Sequence, residues 1–256
     1  MLQIETQWLA YGLIVIPIAS VHFWLPAFTR KYAASEDAWI GFTGGVALGY
    51  LMMYMLPKVS AMTMQIILDQ PDAHHFSQSR AYLVLIAGMI TYLSIDRLDQ
   101  STSPRANRYA RGADYSVHGA YNLLAGYVAV ELPAPGLTGH FLISMILVLH
   151  MMGMANLFYH KHPNGYPNVR WYLMFLVLLG GSTALLTELP RVIVNATTAF
   201  VGGIILLNVV SEELPTGQKQ RFKWFLFGIT AVLTAMFVLT SIIVEPRPML
   251  KGIDLL

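Results

Sequence analysis

The chain has 256 residues, of which 55% are hydrophobic and 12% charged, whereas an ordinary soluble domain is about 25% charged. This composition excludes a soluble enzyme, and the formal net charge of +2 at pH 7 gives no indication of nucleic-acid binding. Because the sequence has no cysteine, disulfides, thiolate zinc sites and iron–sulfur clusters are excluded as well.

Long apolar runs recur along the chain, and the length of each is close to the about 20 residues that a helix needs to cross a hydrocarbon layer. They predict an all-α integral membrane protein with a single transmembrane domain over residues 1–256 and no nucleic-acid partner. The eight predicted helices are about 8–28, 38–57, 81–98, 115–132, 138–159, 171–189, 192–214 and 224–244. The two longest links are polar and lie at about 58–80 and 99–114.

The boundary between the sixth and seventh predicted helices is the least distinct one. Only Glu188-Leu189-Pro190-Arg191 separates the two apolar runs. Because proline kinks a membrane helix as well as ending one, a seven-span arrangement with one kinked helix is the alternative.

The distribution of lysine and arginine predicts the orientation in the membrane. With the N-terminus outside, eleven of the 16 basic residues fall on the inner side: Arg30, Lys31, Arg97, Arg105, Arg108, Arg111, Lys161, Arg170, Lys219, Arg221 and Lys223. The positive-inside rule therefore favours both termini on the outer side of an inner or plasma membrane. The expected partners are the lipid bilayer and either other membrane subunits or a second copy in a homodimer.

Two stretches of equal length align without a gap. Phe42-Thr43-Gly44-Gly45 runs on to Leu56-Pro57, and Phe200-Val201-Gly202-Gly203 runs on to Leu214-Pro215. On the eight-span count they belong to helices two and seven, which cross the membrane in opposite directions. This pattern predicts an inverted repeat of three helices, two central helices and three helices, as in transporters with a site near the membrane midplane.

Polar side chains inside a bilayer are costly and indicate function. His118 and Asn122 lie one turn apart on the fourth predicted span, and His150 and Met154 lie one turn apart on the fifth. These four residues are the candidate ligands of a single Zn, Fe or Cu ion. The alternative is a structural role, in which each buried histidine is hydrogen-bonded to a neighbour.

With histidines in spans four and five and the 3+2+3 plan, the chain resembles the ZIP (Zrt/Irt-like) family of divalent-metal transporters. Where the family has H-N-x-P-E-G, this chain has His118-Gly119-Ala120-Tyr121-Asn122-Leu123. Where the family has H-E-x-P-x-E, it has His150-Met151-Met152-Gly153-Met154-Ala155. The resemblance implies a ZIP-like bundle, but only the histidines match. Without the carboxylates that offset two divalent ions, the two-ion site of the family is not expected.

Two other ligands are consistent with the central spans. Thioether sulfurs select Cu(I), and methionines cluster at Met52, Met53 and Met55 and at Met151, Met152 and Met154. A haem with His118 and His150 as axial ligands is the second. The acidic residues, Asp114 among them, lie near predicted helix ends and are interpreted as solvated charges.

Two functional hypotheses follow. In the first, the protein is a divergent metal-cation permease whose path is lined by His118, Asn122 and His150. In the second, it is a non-transporting accessory or structural subunit of a larger membrane complex. An enzyme is not expected, because the spans contain no nucleophile–base pair, phosphate loop or cofactor motif.

Overall fold

The structure is a computed structural model that describes residues 2–31, 36–69, 78–99, 103–132, 136–214 and 219–243. Within these ranges the chain forms eight long helices. They are α1 (Leu2–Ala10, Tyr11–Val15 and Ile16–Lys31), α2 (Glu36–Tyr50, Leu51–Met55 and Leu56–Asp69), α3 (Arg80–Asp99), α4 (Pro104–Glu131), α5 (Gly136–Lys161), α6 (Tyr166–Leu186), α7 (Arg191–Asn208 and Val209–Glu213) and α8 (Lys219–Ile243).

Seven of these helices are long and apolar enough to cross a membrane, which confirms the prediction of an all-α membrane protein. The exception is α4, which carries three arginines and Asp114 in its first half and His118 and Asn122 beyond them. Its start is well defined, because the Ser103 hydroxyl accepts a hydrogen bond from the Ala106 N–H and Pro104 occupies the first turn. The predicted eighth crossing therefore depends on α4.

Several predicted boundaries are wrong. The helix predicted to end at about residue 57 continues to Asp69, and α4 begins at Pro104 rather than near 115, so both predicted links are shorter than expected. The uncertain boundary is a true break, since α6 ends at Leu186 and α7 begins at Arg191 with Thr187 and Pro190 outside helical geometry. The alternative of one kinked span is excluded.

A π-helical turn explains why Pro57 does not end α2. A proline has no N–H to donate, and its ring clashes with the carbonyl one turn earlier. In α2 the Leu56 N–H closes a wider turn onto the Leu51 carbonyl, directly before Pro57. Such π-turns accommodate a local break in the α-helical hydrogen bonds.

The same arrangement occurs twice more. In α1 the Ile16 N–H donates to the Tyr11 carbonyl, directly before Pro17. In α7 the Leu214 N–H donates to the Val209 carbonyl over 3.2 Å, and Pro215 follows in the sequence. The π-turns of α2 and α7 occupy the same positions of the two aligned stretches.

Glycines bring α2 and α8 into backbone contact. A Cβ on Gly45 would overlap the carbonyl oxygen of Phe225, and a Cβ on Gly228 would overlap that of Phe42. Only glycine permits so close an approach, which favours Cα–H···O contacts between the helices.

The contact of α7 with α3 repeats this geometry. A Cβ on Gly203 would overlap the carbonyl oxygen of Leu85, and a Cβ on Gly88 would overlap that of Phe200. In both helix pairs, the partner's glycine lies three residues after the carbonyl that is contacted. A third close pair of this type joins α4 and α6 through Gly126 and Gly180.

The remaining contacts enclose α5. It packs against α1 and α2, and its buried residues include His150, Met151, Met154 and Asn156. The predicted site residues His150 and Met154 therefore lie in the interior of the bundle.

Candidate functional site

His118 lies on α4 and is tied to the preceding turn. Its Nδ1 is 3.0 Å from the backbone carbonyl of Asp114 and 3.3 Å from the carboxylate oxygen Oδ1 of the same residue. Its ring packs on that of Phe158 in α5, with centroids 4.3 Å apart. The partly exposed imidazole contributes to the wall of a cavity between α3, α4, α5 and α7.

Asp114 is buried, so its interpretation as a solvated charge is wrong. His162 donates from Nε2 to Oδ2 over 2.6 Å, and the Lys161 ammonium lies 3.2 Å from the same oxygen. Burial by itself raises the pKa of Asp114, but the hydrogen bonds from His118 and His162 and the charge of Lys161 outweigh it and hold the pKa well below the ordinary value. The carboxylate is therefore ionised and compensated.

Both the nitrogen and the oxygen of the Asn122 side-chain amide are hydrogen-bonded to other protein groups. Its amide nitrogen donates to the carbonyl of His118 over 2.7 Å, so its oxygen is the acceptor for His22 Nε2, 2.8 Å away. On this assignment His22 Nδ1 carries no proton and accepts from the Tyr166 hydroxyl over 3.1 Å. The predicted ligand Asn122 thus links α1, α4 and α6 through hydrogen bonds.

This buried chain of hydrogen bonds should contribute measurably to the free energy of unfolding. Asn122→Ala is expected to lower the free energy of unfolding by about 2 kcal/mol, because it leaves the buried His22 N–H without a partner. Thermal unfolding of the purified protein in detergent measures the effect, with Asn168→Ala on an exposed position of α6 as the control. Equal melting temperatures for the two variants would contradict the role of Asn122.

His150 lies in a different environment. It is buried, its ring stacks on Tyr50 with centroids 4.9 Å apart, and neither ring nitrogen has a hydrogen-bond partner in the protein. It lines a small cavity of about 40 Å³ together with Met55, Met151 and Thr198.

The cavity beside His118 is larger, with a volume of about 310 Å³. Met154 and Asn208 also line it, and the Asn208 amide nitrogen lies 4.0 Å from the Met154 sulfur. Tyr121 and Val201 line both cavities. The two cavities therefore lie in series along α4, α5 and α7, with these two side chains between them.

The four predicted ligands are divided between these places. His118 and Met154 line the larger cavity, His150 the smaller one, and Asn122 is engaged with His22. His150 and Phe158 are eight residues apart on α5, a rise of about 12 Å, and His118 packs at the level of Phe158. The two histidines therefore do not face one ion, and the haem hypothesis is wrong.

Among the described residues, no group of three or more histidine, cysteine or acidic side chains could hold a metal ion. Sequence reasoning overlooked His22 and Asn208. Both are polar residues inside apolar runs, which is the signal that could have identified them.

No protein-family model, curated protein or solved structure matches the chain significantly. The resemblance to the ZIP family therefore stays a prediction.

Proposed function

We propose that the protein is a divergent permease with a ZIP-like inverted-repeat fold and a degenerate metal site, which carries a small cation by alternating access. The observation that carries this proposal is the pair of cavities in series, which share Tyr121 and Val201 as lining residues. A path with an occluding layer is what alternating access requires between two halves of a bundle.

The repeat is supported by equivalent positions in α2 and α7. Gly45 and Gly203, the fourth residues of the two aligned stretches, make the same close contact with α8 and α3 respectively. The two stretches also share a π-turn that directly precedes Leu-Pro. If α3 and α8 are equivalent as well, both helix pairs have the same crossing, as expected of two related halves.

The other helix contacts fit the same symmetry. Exchanging α1 with α6 and α4 with α5 turns the contact of α1 with α5 into that of α6 with α4, and both contacts are present. The contacts of α2 with α5 and of α7 with α4 are equivalent in the same way. This exchange requires α4 to cross the membrane as the eighth span, despite its polarity.

The site is degenerate because its charge is already balanced. Asp114 lies in the wall of the larger cavity, but His162 and Lys161 neutralise it. A divalent ion would therefore lose its hydration without gaining an uncompensated carboxylate. This argues against the two-ion chemistry of the ZIP family and in favour of a cation of lower charge.

One observation favours the alternative of an accessory subunit. Asn122 and His22 are hydrogen-bonded to each other, as buried polar residues with a purely structural role are. The cavities favour the permease, because a scaffold has no need of a path.

Transport by the purified protein tests the proposal. In phospholipid vesicles, flux of at least one of Zn²⁺, Fe²⁺ and Cu⁺ should exceed that of empty vesicles, and Cu⁺, the ion of lowest charge, should move fastest. Val201→Phe should lower this flux more than tenfold, because the larger side chain fills the layer between the cavities. Val192→Phe on the same helix is the control, since Val192 is 79% exposed. If none of the three ions moves through folded protein, the permease is rejected and the accessory subunit is favoured.

A further inference from the structure

The small cavity contains three soft or borderline metal ligands. Its lining includes Met55 of α2 and His150 and Met151 of α5, whose side chains carry two thioethers and one imidazole. A volume of about 40 Å³ suits one small guest rather than a hydrated ion.

His150 has a free coordinating nitrogen. The residue is 2% exposed, and neither ring nitrogen is hydrogen-bonded to another protein group. A neutral imidazole has one nitrogen lone pair available to a metal ion. Leaving this group buried without a ligand is costly, so its position favours a guest that accepts the lone pair.

Met55 packs closely against α7 because the residue that it meets there is a glycine, Gly202. A Cβ on Gly202 would lie 3.1 Å from Met55 Cγ and 3.5 Å from its sulfur. Gly202 thus leaves room for the Met55 side chain where α2 meets α7. The other methionines of the same π-turn, Met52 and Met53, are exposed, so the structure separates one methionine of this cluster from the rest.

The charge of the cavity decides the class of ion. None of the described residues that line it carries a formal charge. The cost of burying an ion rises with the square of its charge, so a divalent ion of the same radius costs four times as much as a monovalent one. Neutral sulfur and nitrogen donors compensate a soft monovalent ion best.

We propose that Met55, His150 and Met151 bind one soft monovalent cation, Cu(I) or its redox-inert analogue Ag(I). This inference deepens the proposed function by naming the class of cation, and the substrate assignment depends on that function. Zn²⁺ is not expected to compete for the site, because its higher charge is not compensated there.

Binding of Ag(I) to the full-length protein in detergent tests the proposal without requiring transport. Titration in a chloride-free nitrate buffer should give one site per chain. Met55→Leu and Met151→Leu should each weaken it at least tenfold, because leucine conserves volume and removes the sulfur. Met52→Leu on the same π-turn is the matched control and should leave affinity unchanged.

Binding that survives in the Met55→Leu, Met151→Leu double variant would overturn the proposal, as would displacement of Ag(I) by equimolar Zn²⁺. X-ray absorption of the Cu(I)-loaded protein should show sulfur together with nitrogen scatterers, and a spectrum with oxygen and nitrogen alone would also overturn it. If the vesicles transport ions but Ag(I) does not bind, the inference fails and the permease stands. If Ag(I) binds as described but no ion is transported, the site stands and the permease fails.

Discussion

Gly203→Ala is expected to lower the free energy of unfolding by about 3 kcal/mol or more, the upper range for overpacking a tight interface. The added Cβ would overlap the carbonyl oxygen of Leu85 and lie 2.9 Å from its carbonyl carbon. Backbone atoms cannot rotate away as a side chain can, so α3 and α7 must separate along their crossing. Thermal unfolding in detergent measures the loss.

Two other glycines are matched controls for this variant. A Cβ on Gly12 or Gly112 would meet nothing within 4 Å. Since alanine is favoured over glycine in a helix by up to about 1 kcal/mol, Gly12→Ala and Gly112→Ala should be neutral or stabilising. Destabilisation by these controls comparable to that of Gly203→Ala would contradict the steric explanation.

The same measurement bears on the inverted repeat. Gly45→Ala should destabilise the protein as much as Gly203→Ala, because a Cβ there would overlap the Phe225 carbonyl oxygen in an equivalent crossing. A large difference between the two variants would contradict the equivalence of α2 and α7.

The sequence predicts the helices better than their ends. Seven apolar runs satisfy the length and composition of a membrane span because burial in lipid leaves a strong compositional signal. The continuation of α2 past Pro57 was not predictable, because proline more often ends a helix. The π-turn that accommodates Pro57 leaves no recognisable pattern in the amino-acid composition. The sequence did not predict the first turns of α4, because the arginines there are typical of a polar loop between membrane spans.

Helical periodicity identified neighbours on one helix but not across helices. It placed His118 one turn from Asn122, and the structure joins them through the His118 carbonyl. Whether His118 meets His150 depends on the axial register of α4 and α5, which periodicity does not determine. The compensation of Asp114 by His162 likewise joins the first half of α4 to the end of α5, which are distant in sequence.

Asp114→Asn is expected to lower the free energy of unfolding by about 3 kcal/mol at neutral pH, because it removes the negative charge of a buried ionic cluster and leaves the basic partners in place. The variant leaves Lys161 and the buried His162 without their carboxylate partner. Glu188→Gln is the control, since Glu188 is exposed in the link between α6 and α7. Its effect should stay within about 0.5 kcal/mol.

The pH dependence separates the loss of charge from a change of shape. The folded-state pKa of Asp114 is lowered, so its contribution to stability is fully present above the unfolded pKa of about 3.9 and is lost as the pH falls further. The difference in melting temperature between wild type and Asp114→Asn should therefore be largest near pH 7 and shrink below about pH 4. A difference that is constant with pH, or no larger than that of Glu188→Gln at pH 7, would contradict the role of the charged cluster in joining α4 to the end of α5.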